Sequence, residues 1–426
     1  MTGQAVTLFS YLNIYGGESM SRELKIIISF LLISFLLVSV FAVIYWFNNK
    51  GRLDELNHIG HPDWSSPDTL VKNIHTYNYS VIKNPDSLLI FYLKRNDQTK
   101  AETLSIKRVD FKGNIINSRK ISTQKSLNDF DVVKDEGEIN LFVISGKDDT
   151  RQNIQYYSLN NSLNVQNKSR VISGLKYAYG LNSQSINGKT YLSYNTMKNN
   201  NYCLSFFFFY SNKQQLIKKS KLEKKSEIIL PAIEVQNDKV YLSFLKENPG
   251  KSFQVGVESK VNSYNLMLAE YDRDLNMTRK AQKIDAAYIK DERSTPELEY
   301  NSKNNKLYLF YKKYYKMNKS ILHNLAVYDP AQSKVDYRKQ LGNSINNADI
   351  LKYNGKQTIV YNHQGKRTSL LYIDKFNNFE SINITPIRLF TQSKFAYKPN
   401  LFAGEQGLHL AWVELNDGTN NIYYAN

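Results

Sequence analysis

The sequence predicts an all-β protein, a seven-bladed β-propeller preceded by one N-terminal transmembrane α-helix. Seven hydrophobic runs each follow an Asn, Asp or Gly turn and end at a large anchor residue: Tyr92, Val143, Tyr194, Phe244, Tyr311, Tyr361 and Trp412. The anchors are separated by 51, 51, 50, 67, 50 and 51 residues. A period near fifty residues with several strands per repeat is typical of propeller blades, which must stack on their neighbours to bury both faces. A long uncharged segment precedes the first repeat.

Residues 1–24 form a short N-terminal segment. Gly16-Gly17-Glu18 stands just before Met20, and the codons for such a stretch resemble a bacterial ribosome-binding site. This favours Met20 as the native start of the chain.

Residues 25–47 are predicted to be the transmembrane helix. The run Ile26–Phe47 has 22 residues without a charge and ends in Tyr45-Trp46, residues typical of a membrane interface. A cleaved signal peptide is the alternative, with a small-residue site at Ala42. We favour the uncleaved anchor because the apolar run continues beyond Ala42 and exceeds a normal signal-peptide core.

The charges that flank this segment do not orient it, because Lys or Arg residues stand on both sides. A single anchor ahead of a large repeat domain favours export of the domain. The one cysteine, Cys203, cannot form an intramolecular disulfide and is expected to be a small core residue. We therefore expect a single-pass protein of a bacterial, Gram-positive cell membrane, with the C-terminal domain outside.

Residues 48–68 are polar, contain Pro62 and Pro67, and are predicted to be a stem. Residues 69–426 are predicted to be the propeller. Its last repeat lacks a fourth strand, because the chain stops soon after Trp412. We expect the strand 69–74 to supply it by pairing with 421–424, which removes two exposed sheet edges.

The fourth interval is longer than the others, and its extra residues lie between the second and third strands of the fourth unit. This segment, Lys246–Tyr264, is expected to be a loop on the face that carries the connections between blades.

The net charge of +17 favours an anionic partner. Basic residues near this loop and after the fifth anchor form the candidate partner-binding set: Lys246, Lys251, Lys260, Lys312, Lys313 and Lys316. On an exported domain we expect a protein or an anionic envelope polymer as partner rather than nucleic acid. The alternative is that these lysines protect solvent-facing sheet edges from aggregation.

Carboxylates recur on the first strands, which line a propeller's channel: Asp129, Asp131, Glu234, Glu297, Glu299 and Asp349. A pair of them at suitable spacing supports glycosidic acid–base chemistry, and a ring of them can bind a cation. The alternative is that they end strands and face solvent at the rim.

No metal site or cofactor is predicted. His58 and His61 stand close together in the stem while His363 and His409 lie in different blades, and no other ligand completes a recognisable set.

The C-terminal segment from Asn416 to Tyr424, Asn-Asp-Gly-Thr-Asn-Asn-Ile-Tyr-Tyr, resembles blade segments of sialidase-like propellers. No repeat carries that family's Ser-x-Asp-x-Gly-x-x-Trp box, so the resemblance implies the fold and no catalytic residues. The sequence favours a binding or scaffolding module. The alternative is a glycan-active hydrolase or lyase that uses the channel carboxylates.

Overall fold

A computed structural model describes the chain from Asp68 to Asn426, in the compact unit Gly60–Asn426. The description has gaps at residues 75–77, 97, 125, 136, 199–200, 211–214, 222–226, 237, 256–258, 288–295, 302–303, 316–319, 343–344, 354–355, 365–368, 377–386, 389–394, 405–406 and 417. Within the described part, no helix is long and apolar enough to cross a membrane. The predicted helix 25–47, the segment 1–24 and the stem up to residue 67 lie outside it and stay predictions.

The described residues form 28 strands. The first half of them, in chain order, are β1 (Asp68–Ile74), β2 (Tyr79–Lys83), β3 (Ser87–Arg95), β4 (Glu102–Asp110), β5 (Ile115–Gln124), β6 (Ser126–Asp135), β7 (Glu138–Gly146), β8 (Gln152–Leu159), β9 (Val165–Leu175), β10 (Tyr179–Ile186), β11 (Lys189–Lys198), β12 (Asn201–Tyr210), β13 (Gln215–Lys221) and β14 (Ile228–Gln236). The second half are β15 (Lys239–Val255), β16 (Ser259–Asp272), β17 (Met277–Ala287), β18 (Glu297–Asn301), β19 (Lys306–Tyr315), β20 (Ser320–Asp329), β21 (Lys334–Gly342), β22 (Ile345–Tyr353), β23 (Lys356–Gln364), β24 (Ser369–Phe376), β25 (Ile387–Arg388), β26 (Ala396–Ala403), β27 (Leu408–Asn416) and β28 (Thr419–Ala425).

Among the described residues these strands build seven four-stranded antiparallel sheets, each with its strands in chain order except the last. The first strands of successive sheets contact one another, β2 with β6, β6 with β10, β10 with β14, β14 with β18, and β22 with β26. The sheets are therefore the blades of a β-propeller, and the first strands surround its axis. This confirms the all-β propeller that the repeat predicts.

Burial falls from the second strand of a blade to the fourth. In the first blade β3 is buried at seven successive positions, because neighbouring blades cover both of its faces, whereas most of β5 is exposed. The second strands accordingly read as unbroken hydrophobic runs, and this is why they dominate the repeat in the sequence.

Tight turns join the first and second strands. Asn187 and Gly188, between β10 and β11, both have positive φ, at 52° and 72°. This is the conformation of a type I′ hairpin turn, for which the Asn-Gly pair is the strongest signal.

The strand β1 completes the seventh blade, whose order is β26, β27, β28 and β1. It pairs antiparallel with β28, Thr69 opposite Tyr423 and Val71 opposite Ile422. Side chains of β1, β28 and the first blade share one hydrophobic cluster, which includes Leu70 and Ile74. The first described strand of the chain therefore pairs with its last strand, as the incomplete seventh repeat predicts.

The extra residues of the fourth blade differ from expectation in form. The segment Lys246–Tyr264 is largely strand, because β15 and β16 continue their pairing beyond the blade, Glu247 opposite Tyr264 and Phe253 opposite Val261, with a bulge between. The insertion is a ribbon held by backbone hydrogen bonds rather than an irregular loop.

Candidate functional site

One residue of each first strand lies at the same height in the channel, because it pairs with the residue just before the anchor. These seven residues, here called the inner ring, are Ser80, Asp131, Asn182, Ala232, Glu297, Asp349 and Asn400. Glu234 and Glu299 lie two residues further along their strands, opposite Tyr241 and Tyr308, and so share a second level. Backbone register therefore brings five of the six predicted carboxylates to two adjacent levels of one channel, whereas Asp129 lies two residues before Asp131 on β6.

Several inner-ring side chains hydrogen-bond the next blade. Asp131 accepts from the backbone N–H of Ser183 at 2.5 Å and from its hydroxyl at 2.8 Å. Asn182 accepts from the N–H of Ile233 at 2.9 Å, and Asp349 from the N–H of Leu401 at 2.6 Å. A repeated acceptor thus satisfies one backbone donor at each of these blade junctions.

Asp129 has a similar role. It accepts from the Asn78 side-chain amide at 2.6 Å and from the N–H of Leu181 at 2.8 Å, and so joins three consecutive blades. Burial raises the pKa of the neighbouring Asp131 to about 7, partly offset by its Ser183 hydrogen bonds. The two carboxylates of β6 hold the fold together, and neither faces solvent at the rim.

The fourth blade departs from this pattern, because its inner-ring residue is Ala232, which has no acceptor side chain. Glu234, one level further along, accepts a hydrogen bond from the N–H of Tyr300. Burial raises the pKa of Glu234 to about 8, and the carboxylate of Glu299 adds to the rise.

Glu297 and Glu299 of the fifth blade differ from the other carboxylates. Burial is the main cause that raises the pKa of each to about 8. Asp349 adds to both shifts, and no hydrogen bond within the described residues contributes to either. Glu297 is exposed to solvent although protein surrounds it, as for a side chain that lines an opening. Two carboxyl groups on one face of β18 therefore hold protons near neutral pH without a structural partner among these residues.

Four carboxyl groups from three consecutive blades form this carboxyl cluster: Glu234, Glu297, Glu299 and Asp349. Each of the three glutamates has its pKa raised partly by another member of the cluster. Mutual repulsion of this kind makes the cluster share protons, so that it carries both proton donors and proton acceptors near neutrality.

Two lysines oppose this shift at Glu297. Lys312 and Lys398 both lower the pKa of Glu297, although burial outweighs them. Lys312 is 9% exposed and pairs in register with His323, whose Nε2 is buried without a hydrogen-bond partner among the described residues. Burial and the Lys312 charge lower the pKa of His323 well below its usual value.

The candidate basic residues whose side chains the structure describes, Lys246, Lys312 and Lys313, are buried or half-buried. Lys312 is buried, and Lys313 forms an ion pair with Asp285 at 2.9 Å. Lys246 is half-buried on β15. The structure places the backbones of Lys251 and Lys260 on the β15–β16 ribbon, whereas Lys316 lies outside the described residues.

The described residues contain no group of three His, Cys, Asp or Glu side chains able to hold a metal ion. His409 is buried in the seventh blade, and Cys203 lies partly buried on β12 without a disulfide. His58 and His61 lie outside the described residues.

Sequence reasoning missed two members of this region, Lys398 and His323. Lys398 stands on the first strand β26, two residues before the inner-ring residue Asn400, as Asp129 stands two residues before Asp131. This spacing could have identified Lys398 from the sequence. No sequence feature could have identified His323, because its proximity to Lys312 depends on the register of β19 with β20.

No protein-family model and no curated protein matches the chain. Solved structures do match its fold. A polysaccharide lyase, Uly1, is similar over 82% of this chain and 89% of its own, with a TM-score of 0.50 and 9% identity.

Two further structures match at lower TM-scores. The β-propeller domain of the Trilobed protease from Pyrococcus furiosus has a TM-score of 0.46 at 12% identity and covers 83% of this chain and 97% of its own. An oligogalacturonate lyase in complex with manganese has a TM-score of 0.48 at 12% identity and covers 82% of this chain and 96% of its own. At these identities the comparisons do not assign an activity, and the propeller fold rests on the chain's own sheet topology.

Proposed function

We propose that the protein is a glycan-active enzyme whose acid–base groups are Glu297 and Glu299 at the propeller channel. The observation that carries this proposal is that both groups have a pKa of about 8 and no hydrogen bond from the neighbouring blade among the described residues. In three other blades the inner-ring residues Asp131, Asn182 and Asp349 accept a hydrogen bond from the next blade. Titratable groups with shifted pKa values and no structural role are candidates for catalysis.

Acid–base catalysis is possible because the carboxyl groups of the cluster share protons. A protonated glutamate donates its proton to the glycosidic oxygen as the bond to the leaving sugar breaks. An ionised one takes a proton from water in hydrolysis, or from the carbon next to a sugar carboxyl group in elimination. Asp349 adds to the raised pKa of both glutamates by its charge, and Glu299 adds to that of Glu297.

The experiment uses the full-length chain in detergent with a panel of neutral and acidic oligosaccharides. New reducing ends report both reactions, and ultraviolet absorbance of an unsaturated product reports elimination alone. We expect Glu297→Gln and Glu299→Gln each to lower the rate by about a hundredfold or more. Asp131→Asn is the matched control, because it alters a channel carboxylate that is bonded to Ser183. Equal activity of the two glutamine variants and the wild type would overturn the proposal.

A second candidate function is the binding of an anionic envelope partner. The β15–β16 ribbon favours it, since strands of 17 and 14 residues extend the fourth blade on the face that carries the connections between blades. Such a ribbon bears Lys251 and Lys260, and in the proposed topology it stands outside a bacterial membrane, with the predicted helix 25–47 as anchor.

A further inference from the structure

Two outer strands, β5 and β9, flank the junction of the first and second blades. Arg119 of β5 pairs with Ile106, and Lys168 of β9 pairs with Tyr157. Ile106 and Tyr157 belong to one hydrophobic cluster, which both blades form between them. Residues that pair directly point to the same side of a sheet. Arg119 therefore faces the second blade, and Lys168 faces the first.

Side-chain contacts confirm both directions. The Arg119 guanidinium donates to Oδ1 of Asn164, which lies just before β9 in the second blade. The Lys168 ammonium lies 5.2 Å from the centre of the Tyr157 ring. Both Arg119 and Lys168 are exposed. The space between β5 and β9 is therefore open to solvent, and we call it the rim groove.

Arg170 adds a third cation to the rim groove. It pairs with Gln155, whose Oε1 accepts from the Gln124 amide of β5 at 3.2 Å, so this side of the second blade faces the first. Arg170 is exposed, and its guanidinium has no hydrogen bond or ion pair with the described residues. Asn164, which Arg119 contacts, lies six residues before Arg170, a length of about 20 Å along a strand. The three positive charges therefore form a row.

The carboxylates of this region have other partners. The strands β5, β8 and β9 contain no Asp or Glu. On the adjoining strand β4, Glu102 accepts from the N–H of Leu127 at 2.6 Å. Asp86 forms an ion pair with Arg108 at 2.9 Å. Among the described residues, no carboxylate forms an ion pair with a cation of the row.

The junction of the fourth and fifth blades shows outer-strand arginines in a structural role. Arg279 forms an ion pair with Glu270 at 3.3 Å and donates to the carbonyl oxygen of Pro330 at 3.0 Å. Arg338 donates to the carbonyl oxygen of Ile284 at 2.6 Å. In the rim groove, by contrast, three like charges lie close together without a carboxylate. They repel one another, so their combination does not stabilise the fold.

We propose that the rim groove binds a linear acidic polysaccharide, whose sugar carboxylates contact Arg119, Lys168 and Arg170 in succession. This inference goes beyond the proposed function, because the groove lies at the rim and not in the channel. A guanidinium binds a carboxylate through two parallel hydrogen bonds, and an ammonium binds it as a point charge. A row about 20 Å long exceeds one small anion, so it fits a chain that carries repeated charges.

Other polyanions fit the rim groove less well. Single-stranded nucleic acid binds by stacking its bases on aromatic side chains. The strands β5 and β9 contain no aromatic residue, and Tyr157 is 1% exposed. A membrane is flat, whereas Arg119 and Lys168 lie on opposite walls of a groove and face each other. A thin, flexible polysaccharide can contact both walls at once.

The test measures binding to the full-length chain in detergent by fluorescence polarisation. The probe is a labelled linear oligosaccharide of uronic acids, beside the same oligosaccharide with its carboxyl groups methyl-esterified. We expect the acidic form to bind, with an affinity that falls as the salt concentration is raised, and the ester not to bind. Replacement of Arg119, Lys168 and Arg170 together by glutamine should weaken binding about tenfold or more.

The matched control replaces Lys72, Lys120 and Lys280 together by glutamine. These lysines are also exposed on outer strands, so the two triple variants have the same net charge. Lys120 is next to Arg119 on β5 but points to the opposite side of the sheet. The control should bind the acidic oligosaccharide within about twofold of the wild type. A melting curve for each variant shows that it is folded.

The outcomes separate this site from the alternatives. Equal loss of affinity in the two triple variants, or equal binding of the acidic and esterified forms, would overturn the proposal. A single-stranded oligonucleotide and anionic vesicles are tested in the same way. If either binds through Arg119, Lys168 and Arg170 while the oligosaccharide does not bind, the proposed partner is wrong.

Glu297→Gln separates this proposal from the proposed function. The variant should bind the acidic oligosaccharide as the wild type does, because the rim groove does not include the channel. If Glu297→Gln loses binding and the triple variant of the groove keeps it, the oligosaccharide binds in the channel. That result would support the proposed function and contradict the rim groove as the binding site.

Discussion

Single residues on the first strands divide into two kinds. Asp129, Asp131 and Asp349 accept hydrogen bonds from the next blade, whereas Glu297 and Glu299 have no such bond among the described residues. The chemical type of the side chain is the same in both kinds. What separates them is whether a backbone N–H of the next blade bonds the carboxyl group, because such a bond offsets part of the free energy that removing the group from water costs.

Glu297 provides a pH test of this difference. Its pKa is about 8 in the fold against 4.5 for an ordinary glutamate, so the folded state holds a proton that the unfolded state releases. Stability from this group is complete below pH 4.5 and is lost as pH rises through about 8. Glu297→Gln should therefore gain melting temperature relative to the wild type as the pH increases. If the melting temperatures of the two proteins change with pH in the same way across this range, the raised pKa of Glu297 is wrong.

Asp131→Asn tests a carboxylate of the other kind, one that is bonded to the next blade. Oδ2 of Asp131 accepts from both the N–H and the hydroxyl of Ser183, and the neutral amide oxygen of the variant is a weaker acceptor for both bonds. We expect a loss of about 1–3 kcal/mol in the free energy of unfolding, measured by urea denaturation at neutral pH. Glu299→Gln, at the second level of the same channel, is the control and should lose less. If Glu299→Gln loses as much free energy of unfolding as Asp131→Asn, the two carboxylates do not differ in their contribution to stability.

At the scale of secondary structure, β1 is the strand on which the ring depends. Its buried side chains Leu70, Val71 and Ile74 share a cluster with the first blade, and its backbone satisfies the edge of β28. An uncovered β28 would present unpaired N–H and C=O groups to solvent and to other chains.

Replacement of Leu70, Val71 and Ile74 together by serine should detach β1. Each of these side chains contributes about 1.5–3 kcal/mol by burial, so the melting temperature should fall by roughly 10 °C or more. The control replaces the exposed residues Asp68, Lys72 and Asn73 of the same strand by serine. Equal melting temperatures for the two triple variants would show that β1 is dispensable.

A buried histidine lies beside this closure. His409 Nδ1 lies 2.5 Å from the Tyr424 hydroxyl, which donates to the carbonyl of Phe111, and Nε2 has no partner among the described residues. Burial, with Lys83, lowers the pKa of His409 below 6.5. Asp68 and Asp110 act on Tyr424, so charged groups of both signs surround the pair.

Acid should therefore weaken the seventh blade. Below pH 6.5 the unfolded state binds a proton on His409 more readily than the folded state does. The stability that the neutral His409 contributes is therefore present above pH 6.5 and is lost as the pH falls below it. His409→Gln keeps a donor for Tyr424 but cannot titrate. Its melting temperature should fall less steeply with acid than that of the wild type, and an equal slope would assign the acid sensitivity to another group.

The β15–β16 ribbon is an addition to its blade. Removal of residues 248–263, with an Asn-Gly turn joining the paired residues Glu247 and Tyr264, should change the free energy of unfolding by no more than about 0.5 kcal/mol. If the ribbon binds an anionic partner, this variant should lose binding to anionic vesicles in a sedimentation assay. Lys251→Ser with Lys260→Ser on the intact ribbon is the control for charge. Unchanged vesicle binding by both variants would exclude the ribbon as the site.

At the scale of the whole molecule, the sequence predicted the architecture better than the chemistry. The anchors from Tyr92 to Trp412 are visible because second strands are buried on both faces, and the strand 69–74 was found because the seventh repeat is incomplete. The separation of Glu297 from Asp131 was not accessible. It depends on which residues stand opposite each other in neighbouring strands and on a hydrogen-bond donor from another blade. Neither can be predicted from a single sequence.

The membrane topology is a prediction at this same scale. If residues 25–47 anchor an exported domain, protease added to intact cells should digest the propeller while the chain stays in the membrane fraction. Lysed cells treated in the same way are the control. A propeller that is protected in intact cells, or a soluble chain that begins near Val43, would contradict this topology.

The pairing of β1 with β28 also determines the order of events during folding. The strand β1 is made before the rest of the propeller, and its partner β28 lies at Thr419–Ala425, at the end of the chain. Contacts between such distant segments form slowly, because the closure entropy must be overcome before the contact contributes any stability. The strand β1 therefore waits unpaired until residues 419–425 have been made, and over that period its unpaired backbone groups can bind other chains.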